Sequence, residues 1–250
     1  MIRGGLAMQT ETGTLAETMP AWRMTLPGRP LTGLTVLVVE DSRFASEAVR
    51  LLCLRSGARI RRADCLKSAQ KHLLTYRPTV VIVDMGLPDG SGADLIGMIA
   101  RAEPRVPVIL GLSGDPDNRD AAMAAGADNF LTKPVESLAR FQQTILSALP
   151  AEAQLPGPRL LPDDVILPDS AALRDDLAHV AEVLSGATDT AAIDYIARFL
   201  AGVARSAHDR PLEDAATALA RDHQAGNAVA GDLARISGLV QDRLAAVGRA

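Results

Sequence analysis

Cysteine is scarce in this sequence, which excludes two common ways of stabilising a fold. The 250 residues include two cysteines, Cys53 and Cys65, and neither has a CxxC or Cys/His spacing around it. A disulfide framework or a structural zinc site is therefore not expected, and a reducing cytoplasm is the simplest setting. Long apolar runs are missing too. No stretch approaches the roughly 20 residues that span a bilayer, and the N-terminus lacks the apolar core of a signal peptide. We expect a cytoplasmic protein with no membrane contact.

Lysine is absent from residues 151–250, where Asp and Glu outnumber Arg. Because the first 150 residues carry slightly more basic than acidic side chains, the net charge of -4 arises in the second half. A helix that reads a DNA groove needs a basic face to neutralise phosphates. The second half has no such face, and it lacks a compact helix pair with a short Gly turn and a basic second helix. The composition argues against nucleic acid as a partner.

The chain divides into four segments. Residues 1–33 contain Pro20, Pro27 and Pro30 without sustained periodicity, which predicts a flexible N-terminal extension. Residues 34–149 alternate strand and helix patterns five times, and strict alternation with short connections predicts a doubly wound, five-stranded parallel sheet with helices on both faces. Residues 150–168 hold five prolines and are predicted to be a stiff linker. Residues 169–250 carry four amphipathic helix patterns, which predict a smaller all-α helical bundle.

Acidic and basic side chains follow the predicted strands at the points where they end. The first strand leads into Glu40 and Asp41, the third ends at Asp84, the fourth at Ser113, and the fifth leads into Lys133. The carboxyl ends of parallel strands meet at one edge of the sheet, where ligands and chemistry collect in open α/β folds. We therefore expect three carboxylates, a hydroxyl and an ammonium to converge on one spot.

Three carboxylates packed together repel one another unless a cation joins them. Mg²⁺ fits this set, because it characteristically takes one or two carboxylates together with phosphate oxygens and waters. A hydroxyl and a fixed ammonium opposite the metal suit a transferring phosphoryl group, whose charge is spread over its outer oxygens. The pattern predicts a site that holds a phosphoryl group on Asp84 with Mg²⁺ as cofactor.

In these motifs, together with the LPDGSG turn after Asp84 and with Pro134 after Lys133, residues 34–149 resemble the receiver domains of two-component response regulators, which have the flavodoxin-like fold. The resemblance implies that Asp84 accepts a phosphoryl group from the phosphohistidine of a sensor histidine kinase or a phosphotransfer protein. It implies a Mg²⁺ site formed by Asp41, by Glu40 mostly through water, by Asp84, and by the backbone carbonyl of Gly86.

The same resemblance assigns three further roles. Lys133 would pair with Asp84 before phosphorylation and with phosphoryl oxygens afterwards, Ser113 would swing in to bind the phosphoryl group, and Phe130 occupies the position of the switch aromatic. Pro134 would hold the local backbone, with a cis bond as one way to do so. Beyond its own phosphorylation and dephosphorylation, a receiver is not expected to be an enzyme.

The resemblance does not extend to residues 151–250, so the output rests on the helical pattern alone. We expect this segment to bind protein, either a second copy in a homodimer or another signalling component. Two alternatives remain open. One is a DNA-binding transcriptional regulator, and the other is a phosphorelay intermediate that passes phosphate from Asp84 to His208, which stands in the HDRPL stretch at the end of a helical run.

Overall fold

The computed structural model describes residues 28–151, 162–186 and 190–247. Five parallel strands form its main sheet in the order β2-β1-β3-β6-β7, which confirms the predicted doubly wound architecture. A separate two-stranded hairpin, β4 and β5, follows β3. The strands are β1 Thr35–Val39, β2 Arg59–Ala63, β3 Val80–Asp84, β4 Gly86–Leu87, β5 Gly90–Ser91, β6 Val108–Ser113 and β7 Asn129–Thr132.

Helices cover both faces of the main sheet. Side chains alternate between the two faces along each strand, and in the central strands they are apolar on both, so each face needs a layer of helices to bury it. Val36 and Val38 of β1 point into a core completed by α1 and α5, whereas Leu37 and Val39 point into a core completed by α2, α3 and α4. The helices are α1 Arg43–Ser56, α2 Leu66–Thr75, α3 Gly92–Ala100, α4 Asn118–Ala125 and α5 Leu138–Ala148. Burial on both faces explains the continuous apolar runs of the central strands.

The β4–β5 hairpin turns the chain sharply from β3 into α3. Gly92 begins α3 directly against β3, and a Cβ atom at this position would overlap the carbonyl oxygen of Asp84. Ser91 caps the helix, since its hydroxyl oxygen accepts a hydrogen bond from the Ala93 amide at 3.2 Å. The glycine therefore allows the helix to start within contact of the strand end that carries Asp84.

The described ends of the predicted N-terminal extension and of the predicted linker pack onto the α/β unit. Leu31 is fully buried, and its amide donates to the Ser56 carbonyl at 2.9 Å. Near the end of the predicted linker, Val165 forms an isolated antiparallel bridge with Ser137, and Ile166 is buried in the same core as Leu31. One apolar side chain from each of these predicted segments therefore fills the core of the α/β unit. Residues 1–27 and 152–161 lie outside the described residues.

The C-terminal part is helical, as its periodicity predicts. It contains α6 Ser170–Gly186, α7 Thr190–Ser206, α8 Arg210–Gln224 and α9 Ala230–Val247. Their apolar stripes share one core, in which α7 packs on α8 and α6 packs on α9. Helices α6 and α7 also pack against α1. None of the helices in the described part of the chain is long and apolar enough to cross a membrane.

Candidate phosphoacceptor site

Strand ends bring the predicted site residues together. Asp84 is the last residue of β3, Glu40 and Asp41 follow β1, and one carboxylate oxygen from each of the three lies within 4.8 Å of the others. Ser113 ends β6 and Lys133 follows β7. All five line one cavity of about 370 Å³, so the structure places the whole predicted set at one sheet edge.

Lys133 forms ion pairs with two of the three acids. Its Nζ lies 2.7 Å from Glu40 Oε2 and 3.1 Å from Asp84 Oδ1, and its side chain is 7% exposed. Burial lowers the pKa of Lys133, but the Asp84 and Glu40 carboxylates more than offset this, so its pKa lies above the ordinary value. The lysine therefore stays charged and faces the acceptor carboxylate.

The acids still exceed the positive charge available to them. Burial, reinforced by the charge of Asp84 and opposed by Lys133, raises the pKa of Glu40 well above its usual range. For the same reasons the pKa of Asp41 rises to about 6, although a hydrogen bond from Tyr195 lowers it in part. A bound divalent cation would reverse these shifts. Carboxylate oxygens are the donors that Mg²⁺ prefers, so the donor set fits this ion.

Ser113 and Phe130 make contacts with residues other than the acceptor Asp84. The Ser113 hydroxyl oxygen accepts hydrogen bonds from the Asp115 amide at 3.1 Å and from the Asn118 side-chain amide at 3.0 Å. Phe130 is buried in the core on the α4 side, where its ring lies close to Gly111. Their roles as phosphoryl ligand and switch aromatic stay predictions. The Lys133–Pro134 peptide bond is cis.

Comparison with known proteins agrees with this geometry. Residues 36–145 match the family described as "Response regulator receiver domain". This segment is a response regulator receiver domain. Among curated relatives, the chain is 31% identical over 99 residues to the KDP operon transcriptional regulatory protein KdpE of Escherichia coli, covering 40% of this chain and 44% of the relative. It is 36% identical over 108 residues to the probable transcriptional regulatory protein TcrX of Mycobacterium tuberculosis, covering 43% and 45%.

The similarity to the curated relatives is limited to part of each protein. The response regulator protein PilR of Pseudomonas aeruginosa is 35% identical over 114 residues, which cover 45% of this chain and 25% of the relative. The chain therefore spans about half or less of the length of these curated relatives. A putative response regulator from Chloroflexus aurantiacus is a solved structure with 29% identity and a TM-score of 0.42, covering 46% of this chain and 98% of that one. The matched family segment ends before α6.

The C-terminal helices attach to the receiver domain beside the acidic cluster. Asp176 of α6 is 3% exposed. Its carboxylate accepts hydrogen bonds from the Ser42 hydroxyl at 2.7 Å, the Arg43 amide at 2.8 Å and the Phe44 amide at 3.0 Å. Burial raises the pKa of Asp176, while these bonds lower it in part. An acid of α6 thus occupies the N-terminus of the receiver's first helix, where the helix dipole favours negative charge.

Tyr195 of α7 contacts the acidic cluster itself. Its hydroxyl donates a hydrogen bond to Asp41 Oδ2 at 3.1 Å and lies 3.3 Å from the Nε2 atom of His179 on α6. Burial and the neighbouring Asp41 carboxylate raise the pKa of Tyr195, so the phenol remains a neutral donor. Helices α7 and α8 then complete the wall of the 370 Å³ cavity above Asp84, through residues that include Arg198, Gly202, Arg205 and Thr217.

Sequence reasoning missed four residues around this site: Asn118, Asp176, Tyr195 and Arg205. One signal was available. Tyr195 is the only tyrosine of the second half and shares a helix face with Arg198 and Arg205, which is unusual in an acidic segment. For Asp176 no local signal exists, because its partners lie more than 130 positions earlier in the chain.

His208, the alternative second phosphosite, lies apart from the acceptor. It sits in the turn between α7 and α8 with a φ of 55°, and its Nε2 lies 2.6 Å from Glu136 Oε1. His208 is not among the residues that line the cavity above Asp84. The Nε2 atom of His208 thus contacts Glu136 of the receiver domain.

Proposed function

We propose that this protein is a response regulator whose receiver domain accepts a phosphoryl group on Asp84 from a sensor histidine kinase or a phosphotransfer protein. The observation that carries the proposal is the placement of Asp84 between the charged Lys133 and the acidic pair Glu40 and Asp41. A carboxylate oxygen of Asp84 forms the new bond to phosphorus while the bond between phosphorus and the donor breaks, and the donor keeps that electron pair. Lys133 stabilises the negative charge on the phosphoryl oxygens.

Glu40, Asp41 and Asp84, with the Gly86 carbonyl, would hold Mg²⁺. Bound there, the ion supplies charge neutralisation for the acids and for the incoming phosphoryl oxygens. The raised pKa values of Glu40 and Asp41 support this assignment, because they mark a cluster that lacks compensating positive charge.

Helices α6–α9, the helical unit, are the proposed output. Helix α7 forms one wall of the cavity above Asp84, and α6 is anchored to α1 by Asp176. A large donor such as a histidine-bearing protein can reach Asp84 only when this wall moves aside. Phosphorylation would add roughly two negative charges directly beneath α7, so the helical unit would respond to it through direct contact. We expect the response to change the binding of a second copy or of another signalling protein.

Labelling the full chain tests the acceptor. Incubation with radiolabelled acetyl phosphate and Mg²⁺ should give an acid-stable, alkali-labile phosphoprotein, and Asp84→Asn should abolish the label. Asp94→Asn is the matched control, because Asp94 is an exposed acid in the first turn of α3. Equal labelling of wild type and Asp84→Asn would refute Asp84 as the acceptor.

Light scattering of the full chain, with and without beryllofluoride as a phosphoryl mimic, tests the output. A change in mass, or a change in mixtures with a candidate signalling partner, would support protein interaction. KdpE and TcrX are named as transcriptional regulators, which gives DNA binding as a second candidate. Tight, salt-sensitive binding to a specific duplex in a gel-shift assay would overturn the interaction proposal in its favour.

A further inference from the structure

One face of α7, with a tyrosine and two arginines, lies at the cavity above the phosphoacceptor. Tyr195, Arg198, Gly202 and Arg205 are spaced by three, four and three residues, which places them on one face of a helix. Tyr195 bonds to Asp41, and the other three line the cavity together with Asp84 and Lys133. The helical unit therefore presents arginines, from an otherwise acidic segment, to the one place where a phosphoryl group would appear.

Of the two arginines on this face, Arg205 is held in position by contacts with α8 and with the receiver backbone. Its Nε donates to Glu213 Oε1 of α8 at 2.7 Å. Its Nη1 reaches the receiver backbone so closely that a Cβ atom at Gly114 would overlap it. Gly114 follows Ser113, whose side chain lines the same cavity. Glu213 thus fixes the plane of the guanidinium from one side, and the Nη groups make no hydrogen bond within the described part of the chain.

The cavity has room for a phosphoryl group without any displacement of α7. Its volume is about 370 Å³, and a Cβ atom built at Gly202 would meet nothing within 4 Å. With Glu40 and Asp41 in the cavity wall, a phosphoryl group of roughly two negative charges on Asp84 leaves the site more negative than Lys133 and one Mg²⁺ together can offset. Arg suits this role because its planar donors bind phosphate oxygens in pairs.

Resting on the proposed phosphorylation of Asp84, we infer that Arg205 binds the phosphoryl group of phosphorylated Asp84 and so completes its site from the helical unit. Phosphorylation then strengthens the closed arrangement of the two units. The donor must gain access while the wall is open, and Arg205 retains the product when the wall closes. The position of the helical unit would in this way report the state of Asp84.

Beryllofluoride binding by the full chain tests this inference, with ¹⁹F NMR as the readout at saturating Mg²⁺. We expect Arg205→Gln to weaken beryllofluoride affinity roughly tenfold or more, because a hydrogen bond between charged groups is lost. Arg205→Lys should restore part of the affinity. Arg235→Gln is the matched control, since Arg235 is an exposed arginine on α9, and it should bind as wild type does.

Mg²⁺ affinity without beryllofluoride separates a phosphoryl contact from general damage. Removing a positive charge near the acids should leave Mg²⁺ affinity unchanged or slightly increase it. A parallel loss of Mg²⁺ affinity in Arg205→Gln would overturn the inference, as would beryllofluoride affinity within twofold of wild type. If wild type itself binds no beryllofluoride, or if Asp84→Asn binds it equally well, the proposed acceptor function fails instead.

Discussion

Replacing Asp176 with alanine should open the helical unit. The substitution removes three hydrogen bonds to the N-terminus of α1, two of them from backbone amides. In the open state those amides are rehydrated, and Ser42 still caps α1 through its bond from the Ala45 amide at 3.0 Å. The lost hydrogen bonds therefore weaken the interface between the helical unit and the receiver domain rather than α1 itself. Loss of a capping side chain costs about 2 kcal/mol at most, which corresponds to a shift of roughly thirtyfold in the closed-to-open ratio.

Hydrogen exchange and phosphorylation rate measure this shift in the full chain. The amides of Arg43 and Phe44 should exchange faster in Asp176→Ala, and a phosphohistidine protein donor should label Asp84 faster. Asp175→Ala is the control, because Asp175 forms an ion pair with Arg43 in which both side chains are more than half exposed. Such pairs contribute little. Unchanged amide exchange and unchanged labelling in Asp176→Ala would refute the view that α6 holds the site closed.

Three further results are expected. Lys133→Met should lower the free energy of unfolding by roughly 3–5 kcal/mol in the absence of metal, because it leaves Glu40 buried without its ion pair; a denaturant titration within 1 kcal/mol of wild type would contradict this. The folded protein raises the pKa of Asp41 to about 6. Between about pH 4 and 6, Asp41 therefore binds more protons in the native state than in the unfolded state. Metal-free stability should therefore fall as pH rises through that window, and Mg²⁺ affinity in calorimetry should rise with pH up to about 6; a Mg²⁺ affinity independent of pH would contradict it. Gly92→Ala should destabilise the fold by about 1–3 kcal/mol, since its Cβ overlaps the Asp84 carbonyl, and an unchanged melting temperature would show that α3 can shift at no cost.

The receiver fold and its acidic cluster were predictable because their signals are local. The central strands β1 and β3 are short β-branched runs, and each site residue stands at a strand end, so sheet topology alone brings Glu40, Asp84 and Lys133 together. The contacts of the helical unit were not predictable in this way. Tyr195 and Asp41 are 154 positions apart, and which face of α7 meets the receiver depends on how two separately packed cores fit together.

Leu31 and Ile166 show a second limit of prediction from the sequence. Leu31 follows Pro30, and Ile166 stands between Val165 and Leu167 just before Pro168, so neither belongs to a helical or alternating pattern. Both are nevertheless buried in the core shared by α1 and α5. Hydrophobic periodicity does not predict burial at such positions, because a single side chain is buried only if the folded core has a space that fits it.

The docking of Ile166 sets the length of the tether between the two units. With Val165 bridged to Ser137 and Ile166 buried, the free connection to α6 at Ser170 is residues 167–169. Ser170 lies four residues after Ile166, a distance of at most about 14 Å when the chain is fully extended. While Ile166 stays buried, the start of α6 must stay within this distance of it. The helical unit can therefore rotate about the short connection but cannot diffuse away from the receiver domain. A partner that recognises the open form therefore meets both units at once, with Asp84 and the inner face of α7 exposed side by side.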